Sequence, residues 1–330
     1  MKKLILTLFA GIAALVSNAQ QLPQFSSYMI NNYVLNPAVT GSNDYYEAKA
    51  LNRYQWKGVT DAPRTYVVSV HGPFKKLNMG LGGFVFSDVT GPTSRTGGYI
   101  TYAYHLKLKE GLKLNLGLAA GFLQFKIDGS KISTKTSGDP VLNGGVLSSS
   151  QPDFNFGVYL NHEKFFVGIA CNQIIGNKLK FSQAQQDIRS NLDRHYLLNG
   201  GYNFFLGKFT VQPSAQLKYV APVPMQIEGG VQVKYNDLIW LGATYRHKDA
   251  VSCLVGFNIK DLIIVGYSYD FATSRLKSYS SGTHEIMIGA KFGKIKSTTA
   301  EPAVVPDVVP EAQPEEQPKT EETPVEGEPK

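Results

Sequence analysis

Phe209-Thr210-Val211-Gln212-Pro213-Ser214-Ala215-Gln216-Leu217-Lys218-Tyr219 alternates apolar and polar residues along its whole length. Alternation with a period of two marks a strand with one apolar and one polar face. The pattern recurs downstream. Ile227, Val231, Val233 and Tyr235 alternate with Gln226, Glu228, Gln232 and Lys234; Ile239, Leu241, Ala243 and Tyr245 follow; Ile286, Ile288, Ala290 and Phe292 close the series. Asn236-Asp237 and Lys260-Asp261 join successive strands in two residues, which only antiparallel neighbours permit. The apolar face of this ladder must meet either a second sheet or lipid.

Upstream, the same reading places strands at 45–55, 65–71, 79–86, 98–106, 112–125, 153–161, 165–171 and 194–205, for about fourteen in all. One end of the ladder carries short joints, at 73–77, 107–111, 162–164 and 206–208. The other carries longer ones, at 126–152, 172–193 and 271–282. A sandwich has no reason to sort its loops by end. A transmembrane barrel does, with short periplasmic turns, longer external loops and an even strand count. Eighteen Tyr and eighteen Phe, several at strand ends, suit interfacial girdles. The expected fold is therefore all-β: a transmembrane antiparallel β-barrel of about fourteen strands. The glycines at 80–83 and 117–121 fall inside strands with no following helix, and read as points of tight curvature.

The ends differ from this body. Lys2-Lys3, an apolar run from Leu4 to Val16 and Ser17-Asn18-Ala19 read as a secretory signal peptide over 1–19, cut between Ala19 and Gln20. Residues 20–44 read as an extended lead-in or plug, 45–292 as the barrel and 293–330 as an acidic, Pro-rich tail in the periplasm. From Ser297 onward nine Asp or Glu face only Lys319 and Lys330, although the whole chain carries +7. The body is thus strongly basic, which in an exported barrel fits anionic lipid headgroups or acidic partner loops better than nucleic acid. Proline every four residues from Pro302 to Pro318 forbids helix and sheet, so the tail reads as a spacer or a tether. Cys171 and Cys253 lie in separate strands and read as small hydrophobes.

No nucleophile elbow, paired C-x-x-C, zinc-protease motif or phosphate loop is present, so no enzyme, cofactor or metal site is expected. One rim stands out on the long-loop side, where Arg53, Gln55, Trp56 and Arg64 fall close together. In one reading Trp56 anchors a girdle and the arginines pair with lumen carboxylates such as Glu228. In the other, with Asn36 and Pro37, they form a partner-binding rim, since Trp and Arg are favoured interface anchors.

The lead-in Gln24-Phe25-Ser26-x-Tyr28-Met29-x-Asn31, running to Asn36-Pro37-Ala38-x-x-Gly41, resembles the opening signature of the PorP/SprF family of type IX secretion outer-membrane proteins in Bacteroidetes. Arg53-x-Gln55-Trp56, Pro152-Asp153-Phe154-Asn155-Phe156-Gly157, His195-Tyr196 and Gly282-Thr283-His284-Glu285 are similar to later family blocks. The resemblance covers roughly 21–292 and leaves the tail outside. It implies a non-enzymatic barrel that assists export or surface attachment of cargo such as gliding adhesins. Its implied partners are other secretion components, secreted surface proteins and periplasmic ring or peptidoglycan-binding proteins. A porin for small solutes is the competing expectation. Truncation after Lys296 is expected to leave barrel assembly intact; loss of heat-modifiable migration in gels would make the tail structural.

Overall fold

The computed structural model describes residues 24–132, 145–179, 181 and 190–293. The signal-peptide residues, including Ala19 and Gln20, and the acidic tail lie outside them. Chain order runs β1 (Tyr46–Tyr54), β2 (Arg64–Phe74), β3 (Met79–Thr90), β4 (Thr93–Lys107), β5 (Lys113–Asp128), β6 (Val146–Asn161) and β7 (Phe165–Asn172). A small ribbon follows, β8 (Lys178–Leu179) with β9 (Ser190–Asn191), and then β10 (His195–Tyr202), which β11 (Phe204–Leu206) continues. The rest are β12 (Phe209–Val220), β13 (Val223–Tyr235), β14 (Ile239–Arg246), β15 (Ala250–Ile259), β16 (Ile263–Ala272) and β17 (Thr283–Phe292).

Each barrel strand pairs antiparallel with its neighbours, β7 with β10 and β10 with β12, and β1 closes the ring on β17. The result is a closed antiparallel β-barrel of fourteen strands. Closure is what a membrane demands, because a lipid-exposed sheet edge would leave unpaired N–H and C=O groups. The two-residue turns behave as their sequences require: Asn236, Asp237, Lys260 and Asp261 all have φ near +50°. That is the type I′ geometry that matches strand twist, and Asn and Asp tolerate it. Loop sorting is weaker than expected. Three joints at the long-loop end are also tight, at Gly91-Pro92, Ala221-Pro222 and 247–249.

Side-chain alternation divides the wall. Outward positions such as Val68, Ile100, Leu118, Ile169, Leu241 and Ile288 are exposed and apolar, with Ile100 keeping 75% of its surface. Both cysteines are free. Inward positions carry Asn115, Asn155, Asn199, Gln216, Gln232 and Thr244, all buried. The β5–β6 pair departs from expectation, since it runs on to Asp128 and starts at Val146 where a loop over 126–152 was expected. The reason is an inversion of polarity. Beyond Phe122 the outer face turns polar, with Gln124 Nε2 donating to Ser150 Oγ at 3.2 Å, while Leu123 and Leu147 turn inward and are buried. Leu179, Phe181 and Leu192 from the segment between β7 and β10 join that inner cluster. Strands of sixteen residues exceed the roughly 9–11 needed to cross the bilayer, so the excess forms a small water-facing cap whose apolar interior is continuous with the residues around the plug.

The interior is occupied. Residues 24–41, expected as an extended lead-in or plug, lie inside the barrel as consecutive turns ending in a 3-10 turn at Pro37–Val39. Phe25, Tyr28, Tyr33, Leu35 and Ala38 are all buried there. This also corrects the curvature reading of two glycines. A Cβ on Gly117 would fall on the backbone of Pro37 and Ala38, and one on Gly80 on the Thr40 carbonyl. Both are glycine because the inner segment touches the wall there. Gly117→Val is expected to destabilise the barrel by about 1–3 kcal/mol and open residues 24–41 to protease. Gly145→Val, with open space around it, should do neither; thermal unfolding and limited proteolysis in detergent compare the two.

Candidate functional site: an internal plug held by buried charge

Three strands that meet at the barrel seam supply the main anchor. On β1, Arg53 stands opposite Glu285 of β17 in the closing ladder, and Asp270 projects from β16 next to it. Arg53 Nη1 lies 2.9 Å from Glu285 Oε2, and Nη2 lies 2.9 Å from Asp270 Oδ2. The same carboxylates hold the plug. Ser26 N and Ser27 N each donate to Glu285 at 3.0 Å, and Ser27 Oγ also bonds Glu285. Ser26 Oγ donates to Asp270 at 2.7 Å and accepts from Arg53 at 2.7 Å. A second pair continues the network: Arg246 Nε lies 3.1 Å from Glu228, its register partner across β13–β14, and Nη1 lies 2.9 Å from Asp249. Thr244 Oγ1 also donates to Glu228, at 3.0 Å.

The rest of the plug is fixed by single hydrogen bonds to strands around the ring. Lys49 Nζ donates to Ile30 O at 2.6 Å and pairs with Glu47 at 3.0 Å. His71 Nδ1 accepts from Gly41 N at 3.1 Å, so its proton sits on Nε2, 3.4 Å from Glu47. Tyr33 and Thr101 hydroxyls meet at 2.8 Å, and Asn199 Nδ2 donates to Asn32 Oδ1 at 2.7 Å. Asn36 bridges two strands by donating to Val158 O at 3.2 Å and Ile169 O at 3.3 Å, while its Oδ1 caps Ala38 N at 2.9 Å. Gly157 makes room for that amide; a Cβ there would overlap Asn36 Oδ1.

The residues singled out from sequence do not form one rim. Asn36 and Pro37 are buried within the barrel. Arg53 points inward with 1% of its surface exposed, and pairs with Asp270 and Glu285, whereas Glu228 belongs to Arg246. Arg64 faces outward, its guanidinium 4.7 Å from the centre of the Tyr54 ring. Gln55 N donates to Pro63 O at 3.0 Å within the β1–β2 loop. Trp56, half-buried with φ +51°, donates from its backbone N to Thr283 Oγ1 at 3.1 Å. The carboxylates that matter, Asp270 and Glu285, sit at inward positions of β16 and β17. That signal was readable, but not which arginine they would meet. Among the described residues no group of His, Cys, Asp and Glu could hold a metal ion.

A closed barrel with a greasy exterior and a charge-locked internal segment defines an integral outer-membrane barrel protein. The model of the type IX secretion system membrane protein PorP/SprF matches residues 17–290, and the chain belongs to that family. No curated protein matches the chain. Similar solved structures include a Pseudomonas aeruginosa FadL homologue, at 12% identity, 83% of this chain, 95% of that chain and TM-score 0.48. The CymD monoaromatic hydrocarbon channel is similar at 14%, 79%, 91% and 0.48. The Pseudomonas putida toluene transporter TodX is similar at 10%, 82%, 93% and 0.46. Nothing about ligand or role transfers over that distance.

Arg53→Ala strands two buried carboxylates and is expected to cost about 3–5 kcal/mol in urea unfolding from detergent. Adding Asp270→Asn and Glu285→Gln should recover part of that loss; a triple variant as unstable as the single one would show that packing, not charge, dominates.

Proposed function

We propose that this protein is a non-conducting docking barrel of type IX secretion, assisting export or surface attachment of cargo such as adhesins. The observation that carries this reading is the filled lumen. A channel needs an open polar path with a constriction that ions can leave. Here residues 24–41 take up the interior, and their backbone and side chains are tied to β1, β2, β4, β6, β7, β10, β12, β16 and β17. With the lumen occupied by residues 24–41, docking falls to the outer surfaces.

The short-turn end, which we assign to the periplasm, supports docking of periplasmic ring or peptidoglycan-binding components. Its tips expose Leu77, Leu108, Leu206, Leu238 and Leu262. Lysines flank them, among them Lys76, Lys109, Lys208 and Lys260. Apolar knobs set in positive charge suit a partner with an acidic rim around an apolar patch. The acidic tail, on this reading, also lies in the periplasm.

In planar bilayers the intact protein is expected to show no steady conductance, and deletion of residues 24–41 to create one. Steady ion-size conductance of the intact protein would favour the porin reading. In cells, removing the gene is expected to retain at least one surface protein inside; normal delivery of all of them would refute the secretion role.

A further inference from the structure

A cavity of 370 Å³ lies at the long-loop end beside the plug, lined in part by Gln24, which donates from Nε2 to Gln226 at 2.7 Å, and by Asp249 of the Arg246 pair. It exists because the wall is notched there. The β10–β12 ladder stops at Tyr196–Tyr219, β12 bulges between Lys218 and Val220, and the β12–β13 hairpin continues without a β10 partner. The walls are mainly apolar, with Leu35 of the plug, Leu197, Val220, Val223 and Met225 among them. Tyr196 and Tyr219 also line the cavity, yet keep 48% and 46% of their surface on the bilayer side. The cavity is therefore within reach of the membrane leaflet at the long-loop end.

One residue gives it a chemical preference. Lys218 is inward-facing, half-buried and lines the cavity. Its backbone pairs with β10 and β13, but among the described residues its ammonium makes no hydrogen bond or ion pair, and Glu228 and Glu285 act on it only at longer range. The nearby acids are taken: Glu228 and Asp249 by Arg246, and Glu285 by Arg53. An ammonium set against apolar walls with no counter-charge in contact is costly, and an incoming anion relieves that cost. Lys248, His247 and Asp249 also line the cavity, and the Asp249 carboxylate is already paired with Arg246 at 2.9 Å. We propose that the notch beside Lys218 binds an anionic amphiphile, an alkyl carboxylate or phosphate whose head meets the Lys218 ammonium and whose chain fills the apolar cavity. The volume is near the lower end of the roughly 300–1,000 Å³ typical of ligand pockets, enough for one chain and not for a whole lipid. This inference does not depend on the docking role.

Full-length protein in nanodiscs, probed by equilibrium dialysis with labelled ligands, tests it. Dodecanoate and dodecyl phosphate are expected to bind, with dodecanol and inorganic phosphate each weaker by about tenfold or more, the worth of one charge-assisted hydrogen bond. Dodecanoate alone binding points to a free fatty acid as the source; dodecyl phosphate binding more tightly points to a phospholipid headgroup. Lys218→Met should lose about tenfold in affinity for either anion, Lys218→Arg should keep it, and Val220→Trp should block the chain while the barrel stays heat-modifiable. Should Lys218→Met bind dodecanoate like the wild type, or inorganic phosphate match dodecyl phosphate, or no amphiphile bind at all, the proposal is overturned.

Discussion

Arg53 stands where two requirements meet. The sheet must close, because the bilayer offers no hydrogen bonds to an open edge, and β1 and β17 are the strands that close it. The lumen must also be satisfied, because charge taken from water is costly unless it is paired. Arg53 joins the seam strands from the inside through Glu285, reaches Asp270 on the next strand, and through both carboxylates holds the first turns of the plug. Removing it leaves negative charge inside a low-dielectric barrel, so closure and plugging are coupled at one guanidinium. Arginine suits the place because its planar fork spreads its donors over two fixed nitrogens, Nη1 on Ser26 and Glu285 and Nη2 on Asp270.

Polarity runs in opposite senses at two heights of the same strands. Across the membrane, β5 turns Leu116, Leu118 and Phe122 to lipid and Asn115, Gly117 and Ala119 to the plug. A few residues higher the outer face bears Gln124 and Lys126, and the inner face bears Leu123. Nothing in the backbone changes at that point. The solvent does, and the side chains follow it, which places the bilayer boundary near Phe122. The cap above it buries Leu147, Leu179, Phe181 and Leu192 as a soluble protein would.

The plug is fastened by hydrogen bonds around the ring, one of them from the Lys49 ammonium, and by the ion-paired carboxylates at the seam. The wall is shaped to its contents. Gly117 and Gly157 are small because Ala38 and Asn36 lie against them, and Asn36 spends both ends of its amide, on two wall carbonyls and on the turn it caps. Membership of the PorP/SprF family sets this in type IX secretion, and the barrel and family are non-enzymatic types.

The strands, their antiparallel order and the count of fourteen were legible in the chain itself, because a period of two and a two-residue turn such as Asn236-Asp237 are local facts of backbone geometry. The lead-in from Gln24 to Gly41 was legible as a separate segment, since Asn36-Pro37 breaks the strand pattern. What folding alone decided was everything that depends on register between distant strands. Arg53 meets Glu285 across 232 positions, the glycines at 80 and 117 answer to Thr40 and Ala38 and not to curvature, and Arg53 and Arg64, read together as one rim, end on opposite sides of the wall. Local pattern says which face a residue is on. Only the closed ring says what it finds there.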